Sequence, residues 1–373
     1  MKRKFEYLCP VAFCIVVLLT SFCFFFSGNR TYSEKEKRFL EQGDGLTVSG
    51  VLDGSTQKRF EAWIEDQFPA RDAYVALNAY SMLISGRNGL QNIYFADNGY
   101  LVNAPASNNT VQFEKNISRF EQFAESVQIP CSMILVPSTG YLQQESLPIT
   151  SKAYPDEKCL QIASKLSALK FYNYVDVLKS ADAENNVAYR TDHHLSSWGN
   201  YVLYQQWCRD QGIVARAASE YSIEKISGFY GTTWSGSGYW LTKPDMIELW
   251  NNGLDVSVTI TDGGEDPVLS DDMFFRKHLE ELDKYPVFLD GNHCRVDIEN
   301  AGAPDRTILL IKDSYAHCFA NFLTEHYNRI IMLDLRYYRG SISDFIENND
   351  VDEVLFFYGI STLLTDTNSA WLF

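Results

Sequence analysis

Ser314 stands in the segment Thr307-Ile-Leu-Leu-Ile-Lys-Asp-Ser-Tyr315, an apolar run that turns polar and then reads as the start of a helix. A buried strand ending there would present the hydroxyl at the rim of a sheet. The first amides of the following helix, which bear partial positive charge, would face the same space. This is the setting of a nucleophile with oxyanion donors built in, here the Ser314 and Tyr315 amides. The plainer reading is an N-cap, a position that favours Ser and Asp. A serine needs a base, and Tyr189-Arg-Thr-Asp-His-His-Leu-Ser-Ser-Trp198 holds two of the chain's 6 histidines beside an aspartate. Asp192 and His194 are two apart, so an extended or turning backbone can point both side chains the same way. The carboxylate would then fix the tautomer of the base and stabilise its imidazolium. The spacing leaves open whether His193 or His194 is the base. The plainer readings are a helix start capped by Asp192 or Ser196 with surface histidines, or a metal site of Asp192, His193 and His194, which lacks a second ligand cluster elsewhere.

Two further segments carry polar groups at strand ends. Tyr285-Pro-Val-Phe-Leu-Asp-Gly-Asn-His293 reads as a strand running into Asn292, whose amide can donate to an oxyanion, unless Gly-Asn is simply a turn. Arg336 follows Ile330–Leu333 and can hold a negative charge, or pair with Asp334. Tyr230, Trp234, Tyr239 and Trp240 offer rings for stacking on sugars, or core packing.

These groups require a scaffold. Val111–Val127, Lys158–Leu169, Trp198–Cys208, Ala316–His326 and Ser341–Glu347 carry helical patterns. Ser132–Val136, Phe171–Val175, Thr307–Ile311, Ile330–Leu333 and Glu353–Tyr358 read as buried strands. Their alternation predicts an α/β fold, a mainly parallel sheet with helices on both faces, with catalytic groups at the carboxyl ends of strands. Asn92–Val102 predicts a hairpin around Asp97-Asn98-Gly99, and residues 32–86 read as helical and amphipathic. The organisation expected is a cytoplasmic start and membrane anchor at 1–27, a helical stalk at 28–90 and a catalytic domain at 91–373, with a β-rich or loop insert at about 228–265.

Lys2, Arg3 and Lys4 precede an apolar run from Leu8 to Phe26. Nineteen residues at about 1.5 Å each span roughly 28 Å as a helix, close to one hydrocarbon core. Phe24-Phe25-Phe26 occupies the place where signal cleavage needs small residues. The run therefore predicts an uncleaved transmembrane helix with the body outside, a cleaved signal being the alternative. With 32 Lys plus Arg against 48 Asp plus Glu, the net charge is −16, which disfavours nucleic-acid binding. Of 8 cysteines, Cys9, Cys14 and Cys23 lie in the apolar run. The other five form no CxxC or metal-ligand cluster. Asn29, Asn108 and Asn116 head glycosylation sequons.

Taken together, FPARD (68–72), YFADNGYLV (94–102), YRTDHH (189–194), FYGTTWSGSG (229–238), FLDGNH (288–293), LLIKDSYA (309–316), DLRYY (334–338) and DEVLFFY (352–358) resemble the DHHW family. That family is a branch of SGNH-hydrolase-like proteins related to alginate-type O-acetyltransferases. Leu195 departs from the family name, which expects Trp after the two histidines. The resemblance implies an SGNH-hydrolase-like domain, a triad of Asp192, His194 and Ser314 in an order permuted relative to GDSL hydrolases, and no cofactor or metal. It also implies acyl chemistry on a polysaccharide acceptor outside the cell, beside a membrane-bound O-acyltransferase partner. The expected function is O-acyl transfer, in the first place of acetyl. The alternatives are a carbohydrate acetylesterase and a non-catalytic glycan-binding or scaffold protein of an envelope assembly.

Overall fold

The computed structural model describes residues 7–43, 48–89, 92–264 and 266–373; the basic start at Lys2, Arg3 and Lys4 lies outside them. The chain divides into two compact units, one of residues up to Arg87 together with Ser235–Trp240, the other of Asn88–Trp234 and Leu241–Phe373.

In the first unit α1 (Leu8–Phe26) has mean hydropathy 2.5 and no buried residue, and it is long and apolar enough to cross a membrane. Helices α2 (Ser55–Gln67) and α3 (Arg71–Ile84) follow. The break between them falls at Phe68-Pro69-Ala70, where Ala70 takes a left-handed φ of 56°. The helical reading of 32–86 fails at its start. Residues 32–39 form a small antiparallel pair, Tyr32–Ser33 with Arg38–Phe39; Arg38 ties that pair to α2 through the buried Asp66, which Arg71 of α3 also meets at 3.6 Å.

The second unit is α/β with a mainly parallel eight-stranded sheet. It opens with the hairpin β1 (Ile93–Phe95) and β2 (Leu101–Asn103), antiparallel across the Asp-Asn-Gly turn. Helices α4 (Val111–Ser126), α5 (Asp156–Ala163), α6 (Val175–Asp182), α7 (Ser197–Gln211), α8 (Ala316–Leu323) and α9 (Ile342–Asn348) alternate with strands. The strands are β3 (Cys131–Val136), β4 (Lys170–Tyr172), β5 (Ser222–Phe229), β6 (Asp245–Asn251), β7 (Ser257–Thr261), β8 (Val268–Ser270), β9 (Arg295–Glu299), β10 (Thr307–Lys312), β11 (Arg329–Leu333) and β12 (Glu353–Gly359). Sheet order is β8-β7-β9-β11-β10-β12-β3-β4. From β11 through β4 every neighbour is parallel, and β9, β7 and β8 extend that edge antiparallel. The region 228–265 is thus not wholly an insert. Residues 257–261 belong to the main sheet through β9, a long-range pairing that local patterning does not reveal.

Alternate residues of β10 feed two cores. Ile308 and Leu310 face α7 and α8, while Leu309 and Ile311 face α4, α5 and α9. Such two-sided burial explains why β10 reads as an unbroken apolar run. The helix after β10 covers one face and the helix after β11 the other. The chain diverges at the carboxyl end of β10, the place where open α/β sheets form their crevice.

Candidate active site

The serine lies on the turn that leaves β10. After Lys312 the chain passes Asp313, Ser314 and Tyr315 before α8 begins at Ala316. Asp313 braces this turn. It is buried, and its carboxylate accepts from the amides of Tyr315 (3.0 Å) and Gly359 (2.9 Å). Burial pushes its pKa up despite those bonds. Gly359 is needed here, since a Cβ would lie 2.4 Å from the Tyr315 ring. Ser314 keeps partial access to solvent.

The histidine segment is a tight loop closed by pairing of Ala188 with Leu195. Ser196, not Asp192, caps α7 by accepting from the Gly199 amide. The buried side of the loop is fastened by Asp245, which accepts from the amides of Arg190 and Thr191 and from the Thr191 hydroxyl. Leu195 is buried in the core. This closure frees Asp192 and His194 to point inward together.

The two segments meet. His194 Nε2 lies 2.8 Å from Ser314 Oγ, and His194 Nδ1 lies 2.5 Å from Asp192 Oδ1. With Nδ1 donating to the carboxylate, Nε2 is left to accept from the serine hydroxyl. Asp192 is fully buried, and its other oxygen accepts from the amide (2.7 Å) and hydroxyl (2.8 Å) of Thr232. Burial alone would push this carboxyl up. The neighbouring His194 and His193, with the hydrogen bonds from His194 and Thr232, outweigh burial and hold it well below the usual range. The His194 ring stacks on Tyr285 (3.7 Å, 5° between planes), and the Tyr285 hydroxyl donates to the Ser314 carbonyl at 3.1 Å. One buried side chain thus touches both partners of the serine–histidine pair.

His193 is part-exposed, its ring tilted 36° against that of His194 at 3.9 Å, and its Nδ1 hydrogen-bonds the Thr232 hydroxyl; the imidazole nitrogen seated on Ser314 is His194 Nε2. Other expectations need correction. The Tyr315 amide already donates to Asp313 and does not face outward as an oxyanion donor. Arg336 forms the pair with Asp334, at 2.9 and 2.6 Å, and donates to Asn292 Oδ1. Among the described residues neither Asn292 nor Arg336 bonds to Asp192, His194 or Ser314. The strand expected from Tyr285 into Gly291-Asn292 is instead a 3₁₀ turn, Tyr285–Val287, followed by left-handed Leu289, Asp290 and Gly291 (φ 58°, 61° and 95°). Trp234, Tyr239 and Trp240 are buried, so only Tyr230 of the four aromatic residues is part-exposed. Asn116 is buried too, donating to the carbonyls of Leu363 and Asp366.

Asp192, His193 and His194 also offer three ligand atoms within 4.8 Å of one another. Both oxygens of Asp192 and both nitrogens of His194 already hold hydrogen bonds, so a metal there would break the Asp–His–Ser row. Sequence reading missed Thr232, Gly231 and Tyr285. A Cβ on Gly231 would come within 2.2 Å of the Asp192 Cβ. The only signal was the Gly-Thr-Thr at 231–233, whose proximity to Asp192 spans about forty residues.

No protein-family model and no curated protein matches the sequence. Solved structures share the fold. A DHHW family protein from Eubacterium siraeum superposes with TM-score 0.63 at 22% identity, over 76% of this chain and 95% of that one. Bacillus cereus PatB1 with a sulfonyl adduct superposes with TM-score 0.63 at 19% identity, over 75% of this chain and 97% of that one. PatB1 described without the adduct gives TM-score 0.62 at 17% identity, over 75% and 99%. What is shared at these identities is the α/β architecture.

Proposed function

We propose that this chain is a membrane-anchored, extracytoplasmic O-acyltransferase of the DHHW type, transferring acetyl to a cell-surface or secreted polysaccharide. The observation that carries this reading is the Asp192–His194–Ser314 row at the solvent-touching end of a buried strand. The Ser314 hydroxyl attacks the carbonyl carbon of an acyl donor while His194 Nε2 takes its proton. The tetrahedral intermediate collapses, the leaving group departs with that proton, and an acyl-serine remains. An acceptor hydroxyl then gives its proton to His194 and attacks the same carbonyl; the serine leaves, recovers the proton, and the ester now sits on the sugar. Asp192 stays ionised and stabilises the imidazolium. Tyr285 adds the attraction of a ring face for that cation. The Ser314 amide, which makes no hydrogen bond among the described residues, supplies one donor to the oxyanion.

Helix α1 supports anchoring, with a membrane-bound O-acyltransferase as the source of acyl groups. Because Ser314 reaches solvent, water can stand in for the acceptor, which is the acetylesterase reading. The full chain in detergent, given a chromogenic acetyl ester and oligosaccharides, tests these together. The expected products are the free phenol and acetylated sugar, both abolished in Ser314→Ala. Acetate without acetylated sugar marks an esterase. No phenol and no acyl-serine by intact mass marks a scaffold.

A further inference from the structure

Beside the base lies a cavity of about 230 Å³. Its wall nearest the reacting groups is His193, whose ring lies against His194, and Tyr315, which follows Ser314. Opposite stand the end of β2 with residues 104–106, and the turn after β3. Beside His193, its polar lining is made of hydroxyls and amides, among them Asn103, Ser138, Thr139, Tyr154, Thr233 and Ser361. Among the described residues no Asp, Glu, Lys or Arg lines it. The shape is preformed. The Tyr315 and Thr139 hydroxyls both donate to the His193 carbonyl, at 2.9 and 3.2 Å. Tyr154 packs where a side chain at Gly140 would sit and donates to the Asn103 carbonyl at 2.5 Å.

Sites for drug-sized ligands occupy about 300–1,000 Å³, so this one suits a single ring. Hydroxyls and amides over an apolar floor match the hydroxyls and C–H faces of a sugar. A carboxylate entering would find no Lys or Arg to replace its lost water, and His193 already faces the Asp192 carboxylate at 3.8 Å, on a chain of net charge −16. His193, one wall of the cavity, lies with its ring 3.9 Å from that of His194, the group that must deprotonate the acceptor. We infer that the cavity is the acceptor subsite and that it takes a neutral sugar residue, not a uronate. The acceptor role rests on the acyl-transfer reading above; the binding itself does not.

The test uses full-length Ser314→Ala in detergent, titrated calorimetrically with trimers of neutral hexose, of N-acetylhexosamine and of galacturonate. A neutral trimer binds at least tenfold tighter than galacturonate. Ala106→Trp, placed at the exposed rim of the cavity, weakens that binding at least tenfold with an unchanged melting temperature. The inference is overturned if no trimer binds, if galacturonate binds as well, or if Ala106→Trp leaves binding unaltered. It is equally overturned if, in a chain with Ser314 intact, Ala106→Trp lowers the ratio of hexanoate to acetate ester hydrolysis, which assigns the cavity to the acyl chain. Neutral-sugar binding in a protein whose wild type forms no acyl-serine keeps the subsite and removes the chemistry.

Discussion

Two histidine clusters flank the end of β10, and they differ in one respect. In the first, the imidazole of His194 has a carboxylate on one nitrogen and a hydroxyl on the other, and the row ends at a part-exposed serine. In the second, Lys312, His317, Asp334 and Arg336 are gathered, and the first three are buried. Lys312 Nζ lies 2.8 Å from His317 Nε2 and 3.4 Å from Asp334. His317 Nδ1 has no partner among the described residues. Burial, with Lys312 beside it, drives the His317 pKa well below the usual range and keeps the ring neutral. Both clusters own an acid and an imidazole. Only the first connects them in line to a nucleophile that reaches solvent. Perturbed titration alone therefore does not mark a site; the directed chain of donors and acceptors does.

That contrast can be broken in order of effect. Asp192→Asn should leave the fold intact and lower ester turnover by about 10⁴-fold, because the amide no longer fixes the working tautomer of the base; steady-state kinetics with a chromogenic acetate check this. Gly231→Ala should lower turnover by about 10²-fold through displacement of Asp192, since misplacement of about 1 Å has that consequence. Arg336→Ala should do the reverse, destabilising by about 3 kcal/mol or less because Asp334 keeps Lys312 and the backbone amide of residue 336 but loses the guanidinium. Turnover per folded molecule should stay within about threefold, as expected of a group with no transition-state contact, measured by denaturant unfolding beside kinetics. A rate loss there as large as that of Asp192→Asn would return Arg336 to the oxyanion.

The smallest effect concerns Asp156, a buried carboxyl that burial pushes up to about 6 although it accepts from the Ser138 amide. An unfolded aspartate titrates near about 3.9, so between about 4 and 6 the folded chain binds more protons and stability falls as pH rises. Asp156→Asn should then raise the melting temperature above pH 6 and bring no gain below about pH 4. A gain that does not vary with pH would contradict this.

Much of this was legible in sequence because it is local. The apolar run of α1, the alternation of buried runs and helical patterns, and the Asp-x-His spacing all lie within short windows. What was not legible depends on contacts between distant segments. The capture of the Tyr315 amide by Asp313 also binds Gly359 from β12. The placing of Tyr285 over His194 needs a 3₁₀ turn where apolar residues suggest a strand. The pairing of Arg336 with Asp334 was one of two open readings, and proximity to Lys312 and Asn292 decided it. Burial of Trp234 and Trp240 could not be told from a sugar-stacking surface by residue type alone.

The central claim is that His194 activates Ser314. Treatment of the full chain with an aromatic sulfonyl fluoride, read by intact mass and peptide mapping, tests it most directly. The account predicts one adduct, on Ser314, that forms at least about a hundredfold more slowly in a folded His194→Ala protein, the scale of general-base assistance. No adduct on the folded wild type, or labelling of Ser314 at the same rate without the imidazole, would contradict it.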